Sequence, residues 1–109
     1  MTAEFAGTLT ELVQIERPMA ERTAAGLRVV EWTRLVECRA AVRPEGTGAQ
    51  SEAMAYSAMP RFRVTMRRRD GVTIDHRVRW RRKVLAVRQI IDDPRLPDRL
   101  VLRCEETRP

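Results

Sequence analysis

The chain is predicted to fold as a small all-β domain, a β-barrel or rolled antiparallel sheet with one long inserted loop. Three observations carry that expectation: apolar and polar side chains alternate along several segments, turn residues punctuate those segments, and the length allows one core. Phe62 to Met66 reads apolar, Arg, apolar, Thr, apolar before running into Arg67-Arg68-Arg69-Asp70-Gly71. Val36, Cys38, Ala40 and Val42 alternate with Glu37, Arg39 and Arg43, and Leu100, Leu102 and Cys104 flank Arg103. In a strand, successive side chains point to opposite faces, so this pattern packs one face and leaves the other wet.

With 109 residues the chain is expected to be a single domain, 1–109, with no room for two independent cores. It is 43% hydrophobic but only 5% aromatic, so Phe5, Trp32, Tyr56, Phe62 and Trp80 supply most of the bulky packing material. A core this modest gains from burial against other chains. No stretch approaches the ~20 apolar residues that span a bilayer. The N-terminus, with Glu4 and no basic start, does not read as a signal peptide. An intracellular product without membrane association is expected. Cys38 and Cys104 fall on the apolar phase of predicted strands and read as small core residues, a disulfide between them being the lesser alternative. Together with His76 they fall short of the four ligands of a closed zinc site, and neither metal nor cofactor is expected.

Residues 1–7 read as a loose arm with Phe5 as its anchor. Leu9 to Arg17 is the first predicted strand, closed by Pro18, and Met19 to Gly26 reads as its hairpin connection, with Gly26 available for a positive φ. Leu27 to Arg43 is a long second strand, stopped by Pro44. Residues 45–60 change character: Gly46, Thr47, Gly48, Ala49, Gln50 and Ser51 precede an Ala-, Glu- and Met-rich run. A connection this long inside a compact domain is functional or disordered. Its second half has helix propensity but is too short to hold a helix alone, so a surface loop with at most one helical turn is expected. Arg61 to Arg68 is the third strand, and Asp70-Gly71 predicts a hairpin after it. Val78 and Trp80 then lead into a turn at Arg81-Arg82-Lys83, and Leu85 and Val87 lead out of it. Asp92 to Asp98, with Pro94 and Pro97, is a turn, and Arg99 to Glu105 is the last strand.

The net charge of +6 is unevenly placed. Residues 1–60 hold six arginines against eight glutamates, whereas residues 61–88 hold ten arginines and Lys83 against Asp70 and Asp75. Such a block is either an electrostatic footprint for phosphate or an acidic partner, or a solvated face kept soluble by arginine. Within it, Arg67, Arg68, Arg69, Arg81, Arg82 and Lys83 form two basic turns and are the candidate DNA- or partner-facing residues.

Taken in order, these features resemble the phage head-tail joining family, the small connector proteins called head-closure or stopper proteins. The resemblance runs from Glu16-Arg17-Pro18 through the Trp32 strand into Cys38-Arg39-Ala40-Ala41-Val42-Arg43-Pro44. It continues through Phe62 to Arg67, Arg77-Val78-Arg79-Trp80 and Val84-Leu85-Ala86-Val87, and closes on Asp92-Asp93-Pro94 and Leu100 to Glu105. One departure stands out: the turn after Trp80 often carries Gly in that family, and here it is Arg81-Arg82-Lys83.

The resemblance implies a structural virion protein rather than an enzyme. It implies a β-barrel with an inserted loop, assembled as a homo-oligomeric ring between the portal and adaptor proteins above and the tail terminator or tail tube proteins below. Such a ring retains packaged double-stranded DNA in its channel and offers the tail-joining interface. The protein would be made in the host cytoplasm and reside in the neck of a tailed particle. The inserted loop would line or close the channel, with Gly46, Gln50, Glu52, Met54, Tyr56 and Met59 as candidate residues.

The alternative from another class is a free nucleic-acid-binding module, a small SH3- or OB-like barrel using the Arg61 to Arg88 block. Against it, Phe62 and Trp80 lie on the apolar phase and not on an exposed stacking face. Trp32 likewise reads as core or interface packing. His76 lacks a catalytic partner, and nothing fixes Glu45 and Glu52 as a carboxylate pair.

Overall fold

The computed structural model describes residues 2–46 and 59–107. A short helix, α1 (Thr2–Thr8), precedes six strands: β1 (Glu11–Thr23), β2 (Gly26–Pro44), β3 (Arg61–Arg67), β4 (Arg77–Trp80), β5 (Lys83–Ile91) and β6 (Arg99–Glu106). The strands close into an antiparallel barrel in the order β1-β2-β3-β6-β5-β4, with β1 pairing back to β4. The all-β expectation holds.

The predicted apolar phases point inward. Val13, Ile15, Val64, Val78, Leu85 and Leu102 are fully buried, joined by Phe62, Met66, Trp80, Val87, Leu100 and Cys104. Phe62 and Trp80 meet edge-on with ring centroids 5.2 Å apart, a favoured aromatic arrangement. Cys104 is in this core and Cys38 is half-buried beside it, and both are free thiols.

Three features differ from the sequence reading. First, β1 does not stop at Pro18 but runs to Thr23, with Pro18 opposite Trp32. On its other side β1 pairs with β4 only from Val13 to Glu16. Pro18 therefore lies where the strand is paired on one side, the setting in which a missing N–H is tolerated. The result is a two-stranded ribbon, residues 17–23 against 26–33, that extends past the barrel. Its tip is closed by the Thr23 hydroxyl, which donates to the Gly26 carbonyl at 2.9 Å, and by Gly26 at φ 119°. The ribbon fits a Cα radius of gyration of 15.1 Å and a longest dimension of 52 Å, against about 13 Å of radius for a compact chain of this length.

Second, Asp70-Gly71 makes a turn, with Gly71 at φ 90°, but not a hairpin. Both edges of β3 are taken, by β2 and by β6, so the chain crosses from β3 to β4 on the far side of the ring. Third, the arm is helical from Thr2 to Thr8. Phe5 is buried, and the Arg99 guanidinium carbon stacks 3.9 Å from its ring centre.

Candidate functional site

Strand polarity separates the two basic turns. β3 runs antiparallel to β6, β6 to β5 and β5 to β4, so β3 and β4 point in opposite directions. Arg67 to Arg69, after β3, and Arg81 to Lys83, after β4, leave from opposite ends of the barrel and do not form one patch.

Each turn is also partly neutralised. Arg68 is ion-paired to Asp92, whose carboxyl is held below its usual range chiefly by that hydrogen bond, and its amide donates to the Asp98 carbonyl at 2.9 Å. Arg81 takes the left-handed backbone that glycine would otherwise supply, at φ 57°, so the turn stays tight without one. Its side chain folds back: Nη2 lies 3.0 Å from a Glu11 oxygen and Cζ lies 4.7 Å from the Trp80 ring centre. The same Glu11 oxygen accepts the Trp80 indole N–H at 2.8 Å. Lys83 pairs with Glu106 at 3.5 Å. Among the described residues, Arg67, Arg69 and Arg82 are exposed with no carboxylate within 4.0 Å.

The pairing extends to the whole basic block. Arg61, Arg63, Arg68, Arg77, Arg79, Arg81, Lys83 and Arg88 each find a carboxylate, and every partner comes from outside residues 61–88: Glu11, Glu16, Glu45, Asp92, Glu105 or Glu106. Segregation along the chain becomes interdigitation on the barrel. Those of the pairs that lie in solvent contribute only ~0–1 kcal/mol each, so their main effect is on the field.

A denser basic feature lies on the outer wall of β2, β3 and β6. Arg43 is directly opposite Arg63, and Arg63 directly opposite Arg103. Three guanidiniums thus stand side by side across three strands, where like charges repel. Glu45 sits between two of them, one oxygen 3.1 Å from Arg63 Nε and the other 3.2 Å from Arg103 Nε. Arg43 is exposed and has no carboxylate within 4.0 Å among the described residues. This row escaped the sequence reading because its members are 20 and 40 residues apart and meet only through register. Their only trace in the sequence is that each occupies the wet phase of a strand.

Of the inserted-loop candidates, Gly46 and Met59 are described, and Gln50, Glu52, Met54 and Tyr56 lie outside the described residues. The base of the excursion is pinned: the Glu45 amide donates to the Arg61 carbonyl at 2.8 Å, and the Arg61 amide to the Gly46 carbonyl at 3.1 Å. Gly46 turns there at φ 79°. Because β3 starts at that point, the excursion leaves from the same end as Arg81 to Lys83.

The ribbon carries the opposite chemistry. Pro18 opposite Trp32, Ala20 opposite Val29 and Arg22 opposite Leu27 share one face, so that face is largely apolar. Leu27 is 75% exposed and Val29 48%. Trp32 is not in the core: it is half-buried at the ribbon's foot, with the Arg77 guanidinium 4.2 Å above its ring. His76 is half-buried nearby, its Nδ1 accepting the Thr73 amide at 3.1 Å, and burial pushes its pKa down.

The sequence matches the family model described as phage head completion protein over residues 6–107. The fold is similar to the solution structure of protein SF1141 from Shigella flexneri 2a, with a TM-score of 0.65 and 18% identity over 92% of this chain and 94% of that one. At that identity the likeness concerns the fold alone. No curated protein matches the sequence.

Proposed function

The chain belongs to the phage head completion protein family, whose role is structural, in the joining of heads and tails, and from that premise we propose that it is a stopper of the virion neck. In this reading copies of the chain form a ring between the portal and adaptor on one side and the tail on the other. The ring retains packaged DNA until ejection. The observation that carries the reading is the family match across nearly the whole chain, residues 6–107.

The geometry supports it in two ways. The inserted excursion and the ribbon leave from opposite ends of the barrel, so one end is free to face the channel while the other reaches a neighbour. The ribbon also holds an apolar face that its own barrel leaves uncovered, and a two-stranded ribbon is marginal alone in water. A neighbouring copy in the ring covers that face. Head-to-tail contacts between identical copies close into rings when the rotation allows.

Deleting residues 50–59 tests the stopper assignment. The barrel is expected to stay folded by circular dichroism, while particles lose DNA or fail to join tails. Full particles with normal tails and retained DNA would refute the loop's role.

A further inference from the structure

We propose that the outer wall of β2, β3 and β6, centred on Arg43, Arg63 and Arg103 with Glu45 between two of them, binds the phosphate backbone of double-stranded DNA. The inference deepens the stopper reading and rests on it for the choice of ligand. It moves the DNA contact away from the turns, where charge along the sequence suggested it, to a place defined by register.

The row is over-supplied with positive charge. Three guanidiniums stand directly opposite one another and share a single carboxylate. Directly opposed like charges destabilise a sheet unless an anion lies between them, and Glu45 satisfies only two of the three. Glu45 shows how the row engages an anion, since its two oxygens accept from Nε of Arg63 and Nε of Arg103 as the oxygens of a phosphate would. Further along the same face Arg67 stands opposite Arg99, four residues from the first row, or about 13 Å at ~3.3 Å per residue. Beside the first row an open depression of about 320 Å³, lined in part by Glu45, Arg88, Gln89 and Arg103, leaves room for a ligand to approach.

The surroundings favour phosphate over a protein partner. Among the described residues the exposed large apolar side chains are Leu12, Met19, Leu27, Val29, Leu35, Ile74 and Leu96; none belongs to β3 or β6, and the three on β2 lie outside the Ala40–Pro44 stretch that pairs with β3. A protein interface has an apolar core depleted in charge, and this wall has the reverse composition. Guanidiniums on phosphate read no sequence, which suits a protein that must hold any genome.

The test is fluorescence anisotropy of the isolated full chain with a labelled random-sequence duplex, across 50 to 200 mM salt, with each variant checked for folding. The triple variant R43S/R63S/R103S is expected to lose at least ~10-fold in affinity and to flatten the slope of log K against log salt by about 2 to 3. E45Q frees two guanidiniums and is expected to tighten binding and steepen the slope by about 1, a change that misfolding would not produce. The charge-matched triple R22S/R69S/R82S, made of exposed arginines off the wall, is expected to have the smaller effect. Equal losses in the two triples would reduce the effect to net charge and overturn the site, as would no duplex binding at 50 mM salt or an E45Q variant that binds less. Polyglutamate binding the wall as tightly as duplex would overturn it in favour of an acidic protein partner. A chain that binds duplex through the wall but is absent from the neck of particles would overturn the stopper reading alone.

Discussion

The ribbon and the arginine wall share one strand, β2, yet present opposite surfaces. From Gly26 to Thr33, β2 is paired with β1 alone, and its apolar side chains Leu27 and Val29 face water. From Ala40 to Pro44 it is paired with β3 in the closed barrel, its apolar side chains turn inward, and what remains outside is Arg43 in a row of arginines. The difference teaches that pairing, rather than local composition, decides what a strand displays. Where the barrel closes, the apolar phase is used up internally and the wet phase becomes a charged wall. Where the ribbon runs free, the apolar phase stays exposed to water.

The sharpest way to break this comparison is to truncate one leucine in each environment. Leu102→Ala or Leu85→Ala, each at a fully buried position, is expected to cost about 3 kcal/mol in urea unfolding of the isolated chain. Leu27→Ala is expected to stay within about 0.5 kcal/mol, because that side chain is already 75% exposed. A cost above ~1 kcal/mol at Leu27 would mean that the ribbon face packs on its own barrel. Introducing charge there, as Leu27→Asp with Val29→Asp, is expected to leave the isolated chain folded but to reduce its incorporation into particles at least ~10-fold, equivalent to 1.4 kcal/mol of lost association. Unchanged incorporation would take the ribbon out of assembly.

A smaller effect distinguishes paired from unpaired charge. The Trp80 indole N–H, with help from Arg81, holds the Glu11 carboxyl below its ordinary value. The folded value lies below the unfolded one, so the stabilisation is complete above about pH 4.5 and is lost as pH falls through the folded value. Glu11→Gln is expected to flatten the acid limb of the stability profile, measured by thermal unfolding between pH 3 and 6. An unchanged limb would mean that Glu11 is not coupled to folding.

The smallest effect is expected at the β4–β5 turn. Arg81→Gly relieves a left-handed residue, worth ~1 kcal/mol, but gives up an exposed ion pair of similar or smaller worth. The net change is expected to be under about 1 kcal/mol, whereas Arg81→Val, β-branched at positive φ, should cost ~1–3 kcal/mol. Equal effects of the two substitutions would remove backbone strain from the account.

What was legible in the sequence is what alternation alone determines. The inward side chains of β3, β4, β5 and β6 follow directly from period two, as do the placement of Cys104 in the core and Cys38 beside it. Burial pushes the Cys104 thiol up to about 12, consistent with an unreactive core residue. What was not legible depends on neighbours distant in the chain. Pro18 reads as a stop unless it is known that β4 leaves that edge of β1 free. Asp70-Gly71 announces a turn, but only the occupation of both β3 edges tells that no hairpin follows. Arg43, Arg63 and Arg103 each look like a solvated strand position until register places them in one row, and Glu45 looks like a loop carboxylate until it is seen between two guanidiniums. Residues 2–8 lack the length for a helix by propensity, and the stacking of Arg99 on Phe5 ties that helix to the barrel.

The most direct test of the central claim is a cryo-electron microscopy reconstruction of the tailed particles that carry this protein, with the chain traced in the neck. The account predicts a ring of this chain between head and tail, with the apolar ribbon face covered by the adjacent copy and the Arg43, Arg63 and Arg103 row turned toward DNA. Absence of the chain from purified tailed particles would contradict it.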